Sequence, residues 1–202
     1  MQQSAKHFVI VANNDPSHAY GPKLQRLLEA CRKGDQKAQF EVYRRYHAAM
    51  YNTTLRIVGD PDDAEDVMQE AFLKAFLKIK TYRGEVSFGA WLKRIVINKA
   101  VDFLRLKRDH ISMEEIGEVE DIREEDIPEN PDIKLEVGTI KRAIASLPEG
   151  YRVVLSLILL EGYDHEEVSA ILNISNATSR TQYHRAKKKL LELLNKKDLN
   201  NG

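Results

Sequence analysis

The chain has 202 residues with 31 acidic and 31 basic side chains, so its formal net charge is zero, and 43% of its residues are hydrophobic. This length leaves room for one domain or two small ones with packed cores. The single cysteine, Cys31, excludes an internal disulfide and fits a reducing compartment. No apolar run reaches transmembrane length and no secretory signal opens the chain, so we expect a cytoplasmic protein without membrane insertion.

The zero net charge hides a strong asymmetry along the chain. Residues 109–136 hold twelve acidic side chains against two basic ones, which leaves 19 acidic and 29 basic side chains elsewhere. Basic segments on both sides of an acidic one indicate a polyanionic partner. One charge run alone is usually only a solvated face, but here two basic helical segments flank the acidic one.

Turn and capping residues divide the first half into helices, and alternation typical of strands is nearly absent. Residues 1–22 are interrupted by Asn-Asn-Asp-Pro and Gly-Pro and are predicted to be a loose extension. A short helix ends at Gly34, and a longer one ends at Gly59. Its apolar side is expected to contain Phe40, Tyr43, Tyr46, Met50 and Leu55. The pair Asp60-Pro61 is a capping acid followed by a first-turn proline, which starts the next helix.

That third helix has two contrasting faces. Its wide apolar face consists of Ala64, Val67, Met68, Ala71, Phe72, Ala75, Phe76 and Ile79. The opposite face carries what we call the docking strip, which consists of Asp66, Gln69, Glu70, Leu73 and Leu77. Leucines beside carboxylates on a solvent face favour contact with a basic surface of another protein. The alternative is that both leucines pack against another part of this chain.

A metal site at the start of the same helix is the weaker interpretation of its acids, which are Asp62, Asp63, Glu65 and Asp66. These carboxylates spread around the helix instead of converging, and acids are common in first turns because they suit the helix dipole. No metal ligand set and no catalytic residue is therefore predicted.

Residues 82–108 are predicted to be a turn followed by a long helix with a basic stripe. The stripe consists of Arg94, Asn98, Arg105 and Arg108, which fall within about 80° of one another at 100° per residue. Most of the remaining circumference is apolar. Guanidinium groups beside an amide suit a surface that holds phosphates and touches a base edge.

The acidic segment 109–132 contains Pro128 and Pro131 and has no sustained periodicity, which favours a flexible linker. Four helical patterns follow within residues 133–197. The chain is therefore predicted to be all-α, with two small helical modules at 23–108 and 133–197 joined by this linker.

The second module contains the spacing of a helix-turn-helix. Asp164 and Glu167 can form a capping box, and residues 173–175 form the turn. In the next helix the predicted inner face consists of Ser179, Tyr183, Ala186, Leu190 and Leu193. The predicted outer face consists of Thr178, Thr181, His184, Arg185 and Lys188, with Arg180 at its margin, and such a face enters the major groove. The alternative is a plain helical hairpin, which Ser179 favours slightly because an apolar residue would pack better there.

Three segments carry a family resemblance: DAEDVMQEAFLKAFLKI, YRGEVSFGAWLKRIVINKAVDFLR and LPEGYRVVLSLILLEGYDHEEVSAILNISNATSRTQYHRAK. They closely resemble the extracytoplasmic-function (ECF, group IV) sigma factors of bacterial RNA polymerase, within the sigma-70 superfamily. The resemblance spans roughly residues 24–108 and 133–194, in the family's order. It implies a non-catalytic specificity subunit without a cofactor, whose region 2 and region 4 are the two modules.

The resemblance also implies roles for the first module. Asp66, Gln69 and Glu70 would dock on the clamp helices of the polymerase β′ subunit, with Leu73 and Leu77 as the apolar part of that contact. Asn98 would read the first conserved bases of the minus-ten element. Tyr82 would lie beside the pocket for a flipped base, where stacking of about 1–3 kcal/mol offsets an extrusion cost of a few kcal/mol. The rest of the basic stripe would also face this DNA.

In the second module the resemblance places Arg180, Thr181, His184 and Arg185 at the minus-thirty-five element, and Thr178 and Lys188 share that face. The family also implies contact with the polymerase β flap, control by an anti-sigma factor, and a free protein that we expect to be monomeric. Two departures are Ser179, where the family usually has an aliphatic residue, and Gln182, where a basic residue is common. We expect Trp91 to belong to the core and not to act as a strand-separating wedge.

Two other classes of protein remain as alternatives. A stand-alone helix-turn-helix regulator would need a dimerisation surface, and it leaves the docking strip and the basic stripe unexplained. A nucleic-acid enzyme would need a nucleophile, a metal cluster or a phosphate-binding loop, and the sequence offers none of these. A further hypothesis is that the acidic linker folds over the basic helices of the free protein and suppresses stray DNA binding.

Overall fold

The computed structural model describes the backbone of residues 21–110 and 137–198 and the side chains of residues 21–107 and 138–195. These residues are helical and contain no strand, so the all-α prediction is confirmed for the part described. None of the described helices is long and apolar enough to cross a membrane. Nearly all of the predicted extension and of the predicted linker lies outside the described residues, and Pro22, the last residue of the predicted extension, begins the first helix.

The first module contains four helices and a short 3-10 turn. They are α1 (Pro22–Arg32), α2 (Gln36–Val58), α3 (Pro61–Lys78), the turn Ile79–Thr81, and α4 (Phe88–His110). The predicted start signals are confirmed: the Asp35 and Asp60 side chains each accept hydrogen bonds from two backbone N–H groups of the helix they precede, and Pro61 occupies the first turn of α3. Such caps satisfy donors that have no partner within the helix.

The second module also follows the predicted pattern. Its elements are α5 (Val137–Ala145), α6 (Glu149–Leu155), the π-helical turn Ser156–Leu160 that continues α6, α7 (His165–Leu172) and α8 (Asn176–Asp198). The capping box of Asp164 and Glu167 is present at the start of α7. The helix ends at Asn173, which adopts the left-handed conformation with φ 54°. Asparagine tolerates that conformation better than most residues, which explains the tight turn into α8.

The core of the first module forms between α1, α2, α3 and α4. The apolar face predicted for α3 is buried apart from a half-buried Phe76, with Ala64 and Val67 in a second apolar cluster. One predicted member of the apolar side of α2 is wrong: Phe40 is 65% exposed. The buried positions near it are Ala38 and Val42. Phe40 lies roughly 160° around the helix from both, which turns its ring away from the core.

The two modules pack directly against each other, which the sequence did not predict. Side chains from both share one buried apolar cluster. The first module supplies Ile57, Val58, Ala64, Val67, Ile97, Ala100, Val101 and Leu104. The second module supplies Val153, Leu157 and Val168, with Ile158, Tyr163, Ile171 and Leu172 packed at the edge. We call this arrangement the closed chain.

Arg152 of α6 joins the modules at the end of α2. Its Nη2 atom donates hydrogen bonds to the backbone oxygens of Ile57 and Val58, at 3.2 and 3.1 Å. The last carbonyls of a helix have no partner within the helix and carry partial negative charge, so a guanidinium is a favourable partner there. The chain then turns at Gly59, whose φ is 91°.

Replacing Gly59 by Ala should destabilise the chain. A side chain at φ 91° is strained, and a Cβ atom would lie 2.7 Å from Nη2 of Arg152, which would have to move. We expect the free energy of unfolding in urea to fall by about 1–3 kcal/mol. Gly150→Ala is the control, because it lies in α6 with open space around it and should change stability by less than about 1 kcal/mol. Equal stability of the two variants would contradict this account.

Candidate functional site

The docking strip lies on the outer surface of α3. Leu73 and Leu77 are 65% and 85% exposed, so no described part of the chain covers them. The alternative that the two leucines pack against another part of the chain is therefore excluded for the described residues. The buried side of α3, with Val67, Met68 and Phe72, fixes which face turns outward. Two exposed leucines one helical turn apart form an apolar patch of the kind that marks a protein contact.

Polar members of the docking strip surround that patch. Asp66, Gln69 and Glu70 are exposed. The amide of Gln69 donates to Glu65 at 3.0 Å, and Glu70 forms an ion pair with Lys99 of α4 at 2.5 Å. Because the exposed ion pair contributes little to stability, a partner's cation can compete for Glu70 without a large loss.

The basic stripe lies on α4 beside the contact between the modules. Arg94 and Asn98 are exposed. Arg105 is also exposed, but its guanidinium donates to the backbone oxygen of Ile171 in α7 at 3.1 Å. The backbone of Arg108 lies in α4, and its side chain is outside the described residues. Three of the four predicted residues therefore share one accessible face, and the second module already engages one of them.

Tyr82 does not lie on the surface as a residue that stacks on a base would. Only 5% of it is exposed, and its hydroxyl donates to the backbone oxygen of Val86 at 2.8 Å. Its ring packs against Phe88 and Trp91, with centroids 5.4 and 5.3 Å away. Trp91 is half-buried against the same core, as expected for a core residue. Burial of the large aromatic ring is favourable, which explains this placement. The sequence pattern could not tell whether Tyr82 belongs to the core or to a binding pocket.

The outer face of the helix-turn-helix is only partly open. Thr178, Arg180 and Lys188 are exposed, whereas Thr181, His184 and Arg185 are half-buried. The Nδ1 atom of His184 is buried without a hydrogen-bond partner in the structure. The predicted face is thus assembled on α8, with its exposed members at both ends and its half-buried members between them.

Ser179, which looked unfavourable for packing, has a specific partner. It is fully buried, and its hydroxyl shares a hydrogen bond with Nδ1 of His165 at 3.0 Å. The His165 ring also packs edge-on against Tyr183. Burial, followed by the charges of Arg180 and His184, lowers the pKa of His165 below its usual value. A hydroxyl at this position therefore joins the two helices of the motif, which removes the argument against the helix-turn-helix.

The structure adds one charged site that sequence reasoning missed. Glu161 follows the π-helical turn, its side chain is only 1% exposed, and its carboxylate is bonded to Arg56 of α2 and to Lys93 of α4 at 2.8 Å. Thr53 also donates to it at 3.1 Å. Burial raises the pKa of Glu161, but the hydrogen bonds and charges of Lys93 and Arg56 outweigh burial and leave the pKa below its usual value. Glu161 is therefore an ionised side chain of the second module held against α2 and α4 of the first.

The described residues contain no group of three or more histidine, cysteine, aspartate or glutamate side chains arranged to hold a metal ion. The predicted site residues instead expose apolar, amide and guanidinium groups. Such groups bind protein surfaces and phosphates.

Known proteins resemble both modules. The family model for Sigma-70 region 2 matches residues 42–109, and the model for Sigma-70, region 4 matches residues 138–190. The ECF RNA polymerase sigma factor SigW of Bacillus subtilis (strain 168) is 30% identical over 180 residues, covering 85% of this chain and 96% of that protein. The ECF RNA polymerase sigma-E factor of Escherichia coli (strain K12) is 34% identical over 172 residues, covering 81% and 90%.

A solved structure shares the fold. The sigma factor RpoE in complex with the anti-sigma factor NepR from Bartonella quintana superposes with a TM-score of 0.51 at 22% identity, over 77% of this chain and 95% of that one.

Acidification should destabilise the chain through His165. The unfolded chain takes up a proton on this residue at about pH 6.5, whereas the folded chain, with its lowered pKa, resists it. The stabilisation is therefore complete above about pH 6.5 and is lost as the pH falls below that value. His165→Asn keeps a partner for Ser179 but cannot titrate, so it should lose less free energy of unfolding between about pH 7 and pH 5 than the wild type.

Urea unfolding at a series of pH values measures this difference. Because the two proteins differ only at residue 165, the difference between their curves isolates the histidine. His47→Asn, at an exposed histidine of α2, is the control and should follow the wild type. Parallel curves for His165→Asn and the wild type would contradict the assigned role.

Proposed function

We propose a function for this chain from one premise: it belongs to the ECF family of RNA polymerase sigma factors. It binds core polymerase and directs initiation at promoters by recognising the minus-ten and minus-thirty-five elements, and it assists melting of the first. The observation that carries this proposal is the exposed pair Leu73 and Leu77 beside acids on α3, with Arg94, Asn98 and Arg105 exposed on the neighbouring helix α4.

The docking strip is the proposed polymerase contact. Its acids would meet cations on the β′ clamp helices, and its two leucines would be buried there. Full burial of a leucine contributes about 1.5–3 kcal/mol, so this pair can supply a large part of the affinity. The second module would add a contact with the β flap.

The basic stripe is the proposed minus-ten surface. Asn98 offers both an amide donor and an acceptor to a base edge, and Arg94 lies one turn away to hold a phosphate. Arg105 would exchange the backbone oxygen of Ile171 for a phosphate, and Arg108 would extend the same surface. Tyr82 supports the adjacent loop through its bond to Val86, so stacking on a flipped base would require that loop to move.

The outer face of α8 is the proposed minus-thirty-five surface. Thr178, Arg180 and Lys188 are available for the first contacts, and Thr181, His184 and Arg185 complete the face. The exposed Arg180 is held by Asn176, whose side chain accepts from its Nε atom at 2.9 Å. An arginine presented in this way can pair with a guanine edge in the major groove.

The remaining assignments follow from the same premise. We assign region 2 to residues 23–108, the acidic linker to 109–132 and region 4 to 133–197, within group IV of the sigma-70 superfamily. The protein would be a cytoplasmic monomer when free, it would need no cofactor, and an anti-sigma factor would control it. A sigma subunit supplies specificity and not catalysis.

Replacing Leu73 and Leu77 together by Gln should strongly weaken polymerase binding. The surface variant keeps the buried side of α3 intact, so the fold should persist while the apolar part of the contact is lost. We expect the affinity for core polymerase to fall at least about 100-fold, from the loss of roughly 3 kcal/mol or more. Leu106→Gln, at a similarly exposed leucine of α4, is the control. Unchanged binding by the double variant would refute the docking strip.

Asn98→Ala should reduce transcription without weakening polymerase binding. Loss of a good base contact removes about 1–3 kcal/mol of discrimination, so we expect about a 5- to 150-fold drop in run-off transcript from a promoter that the wild type uses. Asn52→Ala, at an exposed asparagine of α2, is the control. An equal loss in both variants, or none in Asn98→Ala, would count against the assigned surface.

A further inference from the structure

We propose that Thr53, Arg56 and Lys93 form a phosphate site for promoter DNA, and that the Glu161 carboxylate fills this site in the closed chain. This inference rests on the proposed function. It concerns groups outside the basic stripe and the outer face of α8.

The three donors converge from two helices onto one anion. Thr53 and Arg56 lie one turn apart on α2, and Lys93 approaches from α4. A hydroxyl, a guanidinium and an ammonium around one acidic oxygen group are the donors that also bind phosphate, because both anions accept short, charge-assisted hydrogen bonds. The carboxylate of Glu161 thus occupies the position that a backbone phosphate would take.

The site lies at the edge of the module contact and next to the basic stripe. The Arg56 and Lys93 side chains remain 28% and 34% exposed even with Glu161 bound. Lys93 immediately precedes Arg94 on α4, and Asn98 follows little more than one turn later. A strand that crosses the stripe therefore has a further cationic site within reach.

The closed chain cannot span both promoter elements. Elements about 25 base pairs apart lie roughly 85 Å from each other along the helix. A compact chain of 202 residues has a radius of gyration of about 17 Å, and here the second module lies directly against the first. Binding both elements thus requires the modules to separate, which withdraws Glu161 and leaves Arg56 and Lys93 without it. Unpaired cations beside a DNA strand attract its phosphates.

Substitutions of Glu161 and of Lys93 should change DNA binding differently in the free chain and in the holoenzyme. In the free full-length chain, Glu161→Gln should remove the competing negative charge from the site and strengthen binding to a promoter fragment at least about fivefold. In the holoenzyme the modules are already apart, so the same substitution should have no effect. Lys93→Gln should weaken promoter binding by the holoenzyme and reduce the slope of log affinity against log salt by about 0.9.

Matched controls are Glu166→Gln, an exposed acid of α7, and Lys23→Gln, an exposed lysine of α1. The promoter fragment is one from which the wild type initiates transcription, and affinity is measured by fluorescence anisotropy at several salt concentrations. Circular dichroism checks folding. If Glu161→Gln fails to fold because Arg56 and Lys93 lose their partner, Glu161→Asp tests the same contact, with a smaller gain expected in the free chain.

The proposal is overturned if Lys93→Gln matches Lys23→Gln in affinity and salt slope in the holoenzyme. It is also overturned if Glu161 variants leave DNA binding by the free chain unchanged. A wild type that directs no transcription with core polymerase would instead show that the proposed function itself fails.

Discussion

The closed arrangement depends on Glu161, an ionised carboxylate almost wholly buried between Arg56 and Lys93. A buried charge is strongly unfavourable unless it is paired, so the second module can lie here only with both cations in place. The shared apolar cluster supplies favourable burial, at about 1.5–3 kcal/mol for each large side chain. The ion pairs add little net stability but fix how the modules meet. The attraction between buried opposite charges is nearly balanced by the cost of removing them from water. Another anion can therefore replace Glu161 with only a small change in free energy.

In the closed chain the proposed polymerase-binding surface is accessible, whereas part of the proposed DNA-binding surface is engaged by the second module. Leu73 and Leu77 on α3 remain open while the modules are together, whereas Arg105 on α4 is engaged by α7. In the proposed function, the closed chain can therefore meet polymerase first, and promoter recognition follows once the modules separate. Binding to polymerase would then supply the free energy for opening, as a population shift toward the open chain. This order restricts stray DNA binding by the free protein without requiring the acidic linker to do so.

Local features of the chain were predictable from sequence because their causes lie within a few residues. The caps at Asp35 and Asp60 and the exposed leucine pair of α3 follow from short-range spacing, and the structure has them all. The contacts of Glu161 join it to Thr53 and Arg56, more than a hundred positions away, and to Lys93 in another helix, so local spacing does not reveal them. The burial of Tyr82 could not be predicted for a related reason, since the family resemblance places an aromatic near a loop but does not tell whether its ring enters the core. Tertiary packing decides such cases.

The most direct measurement of the central claim is the distance between the modules in the free chain and in the promoter complex. Spin labels on Lys33→Cys, just after α1, and Lys187→Cys in α8 occupy exposed positions on different modules, and Cys31→Ala removes the buried native thiol. Pulsed electron resonance should give a single short distance for the free chain. With core polymerase and promoter DNA, that distance should increase by several tens of ångströms, on the order of the spacing between the elements. An unchanged distance in a complex that transcribes would contradict the account.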